Sequence, residues 1–207
     1  MICNRLRLVL PYVIEDTQGA LVHSRNIVHN IVIVQDLVRH YNRKAAKPIC
    51  IIKVDMQKAD DTVNWIFLKD MLLTLDFLRR FVDLVMECVC TPKFSLMING
   101  EMHDFFSSKR GLRQGDPLSP LLFVICMEYL ARILAKISSL DQFNYHPRCN
   151  PMKLTHLSFA DDLILCSKDD FEYVYLMLRA FRLFSESSGL KINAQKSSFY
   201  CCGGSRE

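Results

Sequence analysis

The sequence predicts an α+β fold in which antiparallel strands, formed as hairpins, are backed by helices. Two patterns and one compositional fact predict it. Strand-like runs come in pairs around short turns and do not alternate with helices in regular βαβ units. The segments between them place apolar residues at helical spacing. Half of the 207 residues are apolar and 23% are charged, enough to bury a sizeable core in one ordinary domain.

Each element follows from local residues. Ser24 or Asn26 can cap a helix whose apolar positions are Ile27, Ile31, Val34, Leu37 and Tyr41, ending in the basic stretch Arg43-Lys44. Pro48 leads into Ile49 to Asp55, a β-branched run that reads as a buried strand ending in a carboxylate. Helical patterns follow near 62–74 and 78–90. Lys93 to Ile98, Asn99-Gly100 and Met102 to Ser107 read as a hairpin through a type I′ turn. The polar loop Lys109 to Pro120 opens a long apolar helix, 120–136. Lys153 to Ala160 and Leu163 to Ser167 form two strands joined at Asp161-Asp162. A helix over 170–187 ends at Gly189, and residues 190–202 add one or two short strands.

Composition narrows the function classes. Disordered, collagenous and low-complexity readings are excluded. No stretch reaches the roughly 18 apolar residues of a membrane span, since the run from Leu118 to Met127 stops at Glu128. The N-terminus lacks a signal-peptide layout, and no targeting signal is identified. Seven glycines leave little room for Gly-rich phosphate loops, and a net charge of +4 permits a polyanionic partner. The nine cysteines are odd in number and mostly sit in apolar segments, as Cys50, Cys126 and Cys166 do, which points to reduced thiols inside the cell. The nearest approach to a zinc set, His146, Cys149 and His156, lacks a fourth ligand.

Chemistry concentrates in three places: Asp55 at a strand end, Asp161-Asp162 at a hairpin tip, and the Gly- and Pro-punctuated basic loop between them. Carboxylates converging from two strand ends suit Mg²⁺, which takes few carboxylates plus substrate phosphates. Each feature alone has an ordinary reading as turn chemistry, a helix cap or a surface loop.

Their strings have a collinear resemblance. Gln18-Gly19-Ala20, Ser24 to Ile27, Lys53-Val54-Asp55 through Trp65, Ile98 to Glu101, Arg110-Gly111-Leu112-Arg113-Gln114-Gly115-Asp116-Pro117-Leu118-Ser119-Pro120, Leu154 to Leu163 with its Phe-Ala-Asp-Asp box, and Ser188-Gly189-Leu190 through Lys196-Ser197 span almost the whole chain. The sequence resembles the reverse transcriptases of non-LTR (LINE-type) retrotransposons, most of all the plant lineage. The resemblance implies a right-hand polymerase palm with a partial fingers subdomain, approximately residues 1–48, and a palm over 49–207, with the thumb and the endonuclease segments of the parent element missing. It implies an RNA-directed DNA polymerase that uses an RNA template, a DNA primer, a deoxynucleoside triphosphate and two Mg²⁺ ions, acting in the nucleus. Asp55, Asp161 and Asp162 would be the catalytic and metal carboxylates, with the Met56 backbone carbonyl completing the metal shell. Lys196 would protonate the leaving pyrophosphate. Arg110, Arg113, Gln114 and Gly115 would lie along phosphates, template and incoming nucleotide, with Lys109 adding a phosphate contact.

Departures from the pattern matter. Asp60 stands where the family stacks an aromatic ring beneath the nucleotide sugar. A unit charge facing the triphosphate at about 6 Å and an effective dielectric near 20 costs about 3 kcal/mol, of order a hundredfold in binding. Alternatively Asp60 turns outward as a helix-capping carboxylate. Asp76, Asp104 and Ser24 replace glycines usual in relatives. The alternative function is therefore a catalytically silent remnant or nucleic-acid-binding relic. A palm-fold nucleotide cyclase would need a different hairpin sequence and is set aside.

Overall fold

The computed structural model describes residues 1–39, 49–140, 143–168 and 170–202. Helices α1 (Ile2–Val13) and α2 (Ile27–Val38) come first. Strands β1 (Ile49–Val54) and β2 (Met56–Gln57), the short helix α3 (Ala59–Thr62), and helices α4 (Trp65–Thr74) and α5 (Arg79–Cys90) follow. A hairpin of β3 (Lys93–Ile98) and β4 (Glu101–Ser107) precedes the long helix α6 (Ser119–Ser138). Strands β5 (His156–Phe159) and β6 (Asp162–Lys168), helix α7 (Phe171–Ser188), and strands β7 (Lys191–Ile192) and β8 (Ser198–Cys202) close the chain.

The main sheet is four-stranded and antiparallel, in the order β5-β6-β1-β8, so the expected α+β class holds. Strand alternation divides its side chains between two apolar layers. Cys50, Ile52, Val54, Leu163 and Leu165 join the larger core built with α1, α4, α6 and α7. Ile51, Leu157 and Cys166 join a smaller one with Leu37 of α2, Cys149 and Leu154. Helix α6 is buried almost all round, from Leu121 to Leu134, because it lies between the sheet and its neighbouring helices. Its one buried charge, Glu128, accepts hydrogen bonds from Arg132 Nε at 2.8 Å and from the Glu15 backbone N–H at 2.9 Å, which ties the segment after α1 to α6. The same burial, with the Glu128 charge, pushes the Glu15 carboxyl above its usual range.

Local chemistry corrects several expected boundaries. Of the two candidate caps, Asn26 is the one used: its side chain accepts from Val28 N–H at 2.9 Å. Helix α2 ends by Val38, and the Arg43-Lys44 stretch lies outside the described residues. The helix expected near 62–74 is split, since Val63 leaves helical geometry and the Asn64 side chain starts α4 afresh. Asn99 and Gly100 both take left-handed φ, as a type I′ turn requires. The hairpin that carries Asp161 turns one residue earlier than expected. Phe159 pairs with Asp162, so the loop residues are Ala160-Asp161 and Asp162 belongs to β6. Helix α1 had no signal, because Pro11 lies inside it and no side chain caps it; burial of Leu6 and Leu10 supplies its stability.

Two outcomes test this packing. Gly189 has φ +80°, and a Cβ there would stand 2.7 Å from the Thr62 carbonyl. Gly189→Ala should cost at least about 1 kcal/mol, read as a lower urea midpoint. Apolar surface is uncovered on α4 and α5, at Ile66 and Leu84, and extends over the β3–β4 hairpin, where Met97 is 72% and Phe105 69% exposed. Light scattering should show concentration-dependent association, reduced by the cross-strand pair Met97→Lys with Met102→Glu.

Candidate functional site

The site is assembled by one pairing. In the β1–β6 ladder Val54 faces Leu163, and the next step of that register carries Asp55 alongside Asp162, with Asp161 adjacent at the exposed tip of the β5–β6 hairpin. Asp162 is half-exposed and forms an ion pair with Lys53 of the neighbouring strand at 3.7 Å. That pairing commits much of the Asp162 charge to the sheet and leaves Asp161 as the outward carboxylate.

Both backbone groups of Asp55 are held by the segment after α7. Its N–H donates to Ser197 Oγ at 3.1 Å, and its carbonyl accepts from Asn193 N–H at 2.8 Å. Ser197 Oγ in turn donates to the Asn193 carbonyl at 2.8 Å, closing the turn that presents Lys196 to solvent. Lys196 is thereby brought to the Asp55 end of the site from the far end of the chain. Met56 lies in β2 opposite Ile192 of β7, with its side chain buried.

Asp60 sits on the first turn of α3, half-buried, and its carboxyl is raised above the usual range by burial first, then by the charges of Asp161 and Asp61. The basic loop is stitched to the same short helix: Leu112 N–H donates to the Asp60 carbonyl at 2.6 Å, and Gly111 N–H to the Val63 carbonyl at 2.8 Å. Gly111 permits that contact, since a Cβ would fall 2.7 Å from the Asp61 carbonyl and its φ is +88°. Trp65 Nε1 donates to the Gly111 carbonyl at 2.7 Å. Beside this seam lies a cavity of about 340 Å³ lined by Asp61, Trp65, Arg110, Arg113 and Gln114, among others. The structure thus gathers Arg110, Arg113 and Gln114 but leaves Gly115, Asp55, Asp161, Asp162 and Lys196 outside the cavity wall. The Arg113 guanidinium is already paired with Asp116 at 2.8 Å.

These residues suit a divalent cation. Asp60, Asp61 and Asp161 bring negative charge together, and the Asp60 carboxyl is raised by burial first and by its two neighbours second. Among the described residues no three His, Cys, Asp or Glu side chains enclose an ion unaided. Mg²⁺ uses one or two carboxylates and fills its remaining positions with water and substrate oxygens. Among the residues of the weak zinc set, His156 has both ring nitrogens hydrogen-bonded, to the Thr17 and Thr155 hydroxyls. Among the described residues no helix is long and apolar enough to cross a membrane.

Sequence reasoning missed the supports. Ser197 and Asn193 carried no sign that they hold Asp55, because that contact depends on β8 pairing with β1. Arg25, quoted only as part of a string, donates to the carbonyls of Ile14, Glu15 and Gln18 and fixes the segment that meets the catalytic hairpin.

Comparison with known proteins gives the family. The family described as reverse transcriptase (RNA-dependent DNA polymerase) matches residues 1–206. The chain is 32% identical over 183 residues to the Pol polyprotein of the R2DM retrotransposable element of Drosophila melanogaster, covering 88% of this chain and 16% of that protein. It is 27% identical over 205 residues to the transposon TX1 149 kDa protein of Xenopus laevis, covering 94% of this chain and 15% of that one. An uncharacterized mitochondrial protein of Arabidopsis thaliana is 32% identical over 126 residues, covering 56% of this chain and 94% of its own length. The chain thus spans about a sixth of the fly and frog relatives. Among solved structures, Candida albicans telomerase in complex with a telomeric RNA fragment superposes with a TM-score of 0.71 at 15% identity, covering 100% of this chain and 34% of that one, a likeness of fold. A family match along nearly the whole sequence, retroelement relatives and a shared polymerase fold lead to one assignment: the chain belongs to the reverse transcriptase (RNA-dependent DNA polymerase) family, as a domain of the non-LTR, LINE type.

Proposed function

We propose that the chain carries the nucleotidyl-transfer centre of an RNA-directed DNA polymerase, joining a primer 3′-hydroxyl to the α-phosphate of a deoxynucleoside triphosphate on an RNA template and releasing pyrophosphate. The observation that supports this reading is the β1–β6 register, whose last pair is Val54 with Leu163, so that Asp55 follows it on one strand and Asp162 precedes it on the other, with Asp161 at the adjoining tip. Asp55 and Asp161 would hold two Mg²⁺ ions, with Asp162 in support and the Met56 carbonyl as a further ligand. The chemistry such ions supply is activation of the attacking hydroxyl and neutralisation of charge on the leaving pyrophosphate. Lys196, on the turn tied to Asp55, would give the pyrophosphate its proton. Arg110 and Arg113 offer contacts to phosphate, Arg113 sharing its charge with Asp116. Gln114 and Gly115 extend that loop toward template and nucleotide. Residues 1–48 serve as a partial fingers subdomain and 49–207 as the palm, and the nuclear site of action and plant lineage go with the same reading.

One observation favours a second reading, a catalytically silent remnant. The half-buried Asp60 carboxyl, set against Asp161, adds negative charge where a triphosphate would approach.

Primer extension on RNA with Mg²⁺ separates the two. Asp60→Tyr should raise deoxynucleotide incorporation by tens- to roughly a hundredfold, while Asp161→Ala on that background should abolish it. Equal activity with Asp60 and with Tyr would show the position to be tolerant.

The raised Asp60 pKa also predicts a pH effect on stability. The fold favours the protonated carboxyl, so its stabilising contribution is full below the unfolded value of about 4 and is lost as pH rises through the folded value. Asp60→Asn should therefore melt close to the natural chain at pH 4 and above it at pH 7. Equal melting at both values would mean that Asp60 feels no repulsion.

A further inference from the structure

We propose that Gln18 is a positioning residue for Asp161, its side-chain carbonyl bracing the turn of the catalytic hairpin; this rests on Asp161 being a metal carboxylate. Gln18 lies far from the carboxylates in sequence, yet the segment around it runs along the outer edge of β5. Gln18 and Ser158 form a parallel bridge, with Ser158 N–H donating to the Thr17 carbonyl and Gly19 N–H to the Ser158 carbonyl, both at 2.9 Å. From that position Gln18 Oε1 accepts the N–H of Ala160 at 3.2 Å, and the N–H of Ala20 at the same distance.

Ala160 is the residue that needs support. Its φ of +58° is left-handed, a conformation that costs a residue with a Cβ about 1–2 kcal/mol. Such a residue persists only where its surroundings over-determine it. It is also the first of the two loop residues, so its orientation sets where the next residue, Asp161, is presented.

Packing alone does not explain a glutamine here. The side chain is 4% exposed and its Nε2 is buried with no partner among the described residues. A buried donor without an acceptor costs about 1–3 kcal/mol, so an apolar side chain of equal length would fill this space better. What the apolar side chain lacks is the acceptor for Ala160. The brace is itself held, because Arg25 donates to the Gln18 backbone carbonyl at 2.9 Å and its side chain is only 12% exposed.

The test uses the 207-residue chain with Mn²⁺ alone as the probe. Mn²⁺ affinity is read by electron paramagnetic resonance, and the Ala160 amide by NMR hydrogen exchange. Gln18→Met keeps length and volume and removes the acceptor, while Gln18→Glu keeps an acceptor. Gln18→Met should weaken Mn²⁺ binding about tenfold, the usual scale for a residue that orients a ligand. It should also speed Ala160 exchange by about tenfold or more, with Gln18→Glu keeping the amide protected. A packing role would leave both readouts unchanged in Gln18→Met, and either one unchanged overturns the proposal. If Asp161→Ala binds Mn²⁺ as well as the natural chain, the metal reading fails and takes this proposal with it. Ala160 exchange would then still report separately whether the brace exists.

Discussion

The antiparallel register between β1 and β6 is the constraint on which the rest of the molecule depends. Because side chains alternate along a strand, a slip of one residue would exchange Cys50, Ile52 and Val54 with Ile51 and Lys53, placing a lysine in the larger core. Two apolar layers of different size, one against α6 and α7 and one against α2, therefore select a single register. The clustering of the carboxylates is a by-product of that selection. Once Val54 faces Leu163, Asp55 arrives beside Asp162 without any direct interaction being needed between the carboxylates.

Outside the sheet, the site is held by backbone hydrogen bonds from remote segments. The turn 193–197 fixes Asp55, the loop 110–112 fixes α3, and the segment around Gln18 fixes the tip of the β5–β6 hairpin. Each contact satisfies a polar group that the fold would otherwise leave partly buried and unpaired, which is worth more than the modest net gain of an average hydrogen bond. Glu128 does the same for the N-terminal segment, which joins the core through Leu6, Leu10 and Ile14.

Charge at the site is arranged in two ways. Asp162 pairs with Lys53 at 3.7 Å and Arg113 with Asp116 at 2.8 Å. Among the described residues Asp60, Asp61 and Asp161 have no ion-pair partner, and burial first, then the neighbouring charges, raises the Asp60 carboxyl.

Much of this was legible in the residues. The β-branched run at 49–54, the Asn99-Gly100 turn, the Gly189 stop and the apolar helix after Pro117 each carry a local physical signal, and the structure shows them within a residue or two of their expected bounds. Asp55, the Asp161-Asp162 pair and the basic loop are each ordinary turn chemistry, and they stood out only through the collinear order of their strings. The sequence by itself therefore determined the α+β class and the family. Tertiary structure alone decided that the hairpin turns at Ala160-Asp161, that Lys53 pairs with Asp162, and that Gln18, Arg25, Asn193 and Ser197 hold the segments around these carboxylates. The reason is separation along the chain. These contacts join segments whose meeting is set by sheet register and core packing, and no local propensity records which distant partner a hydrogen-bonding group will find.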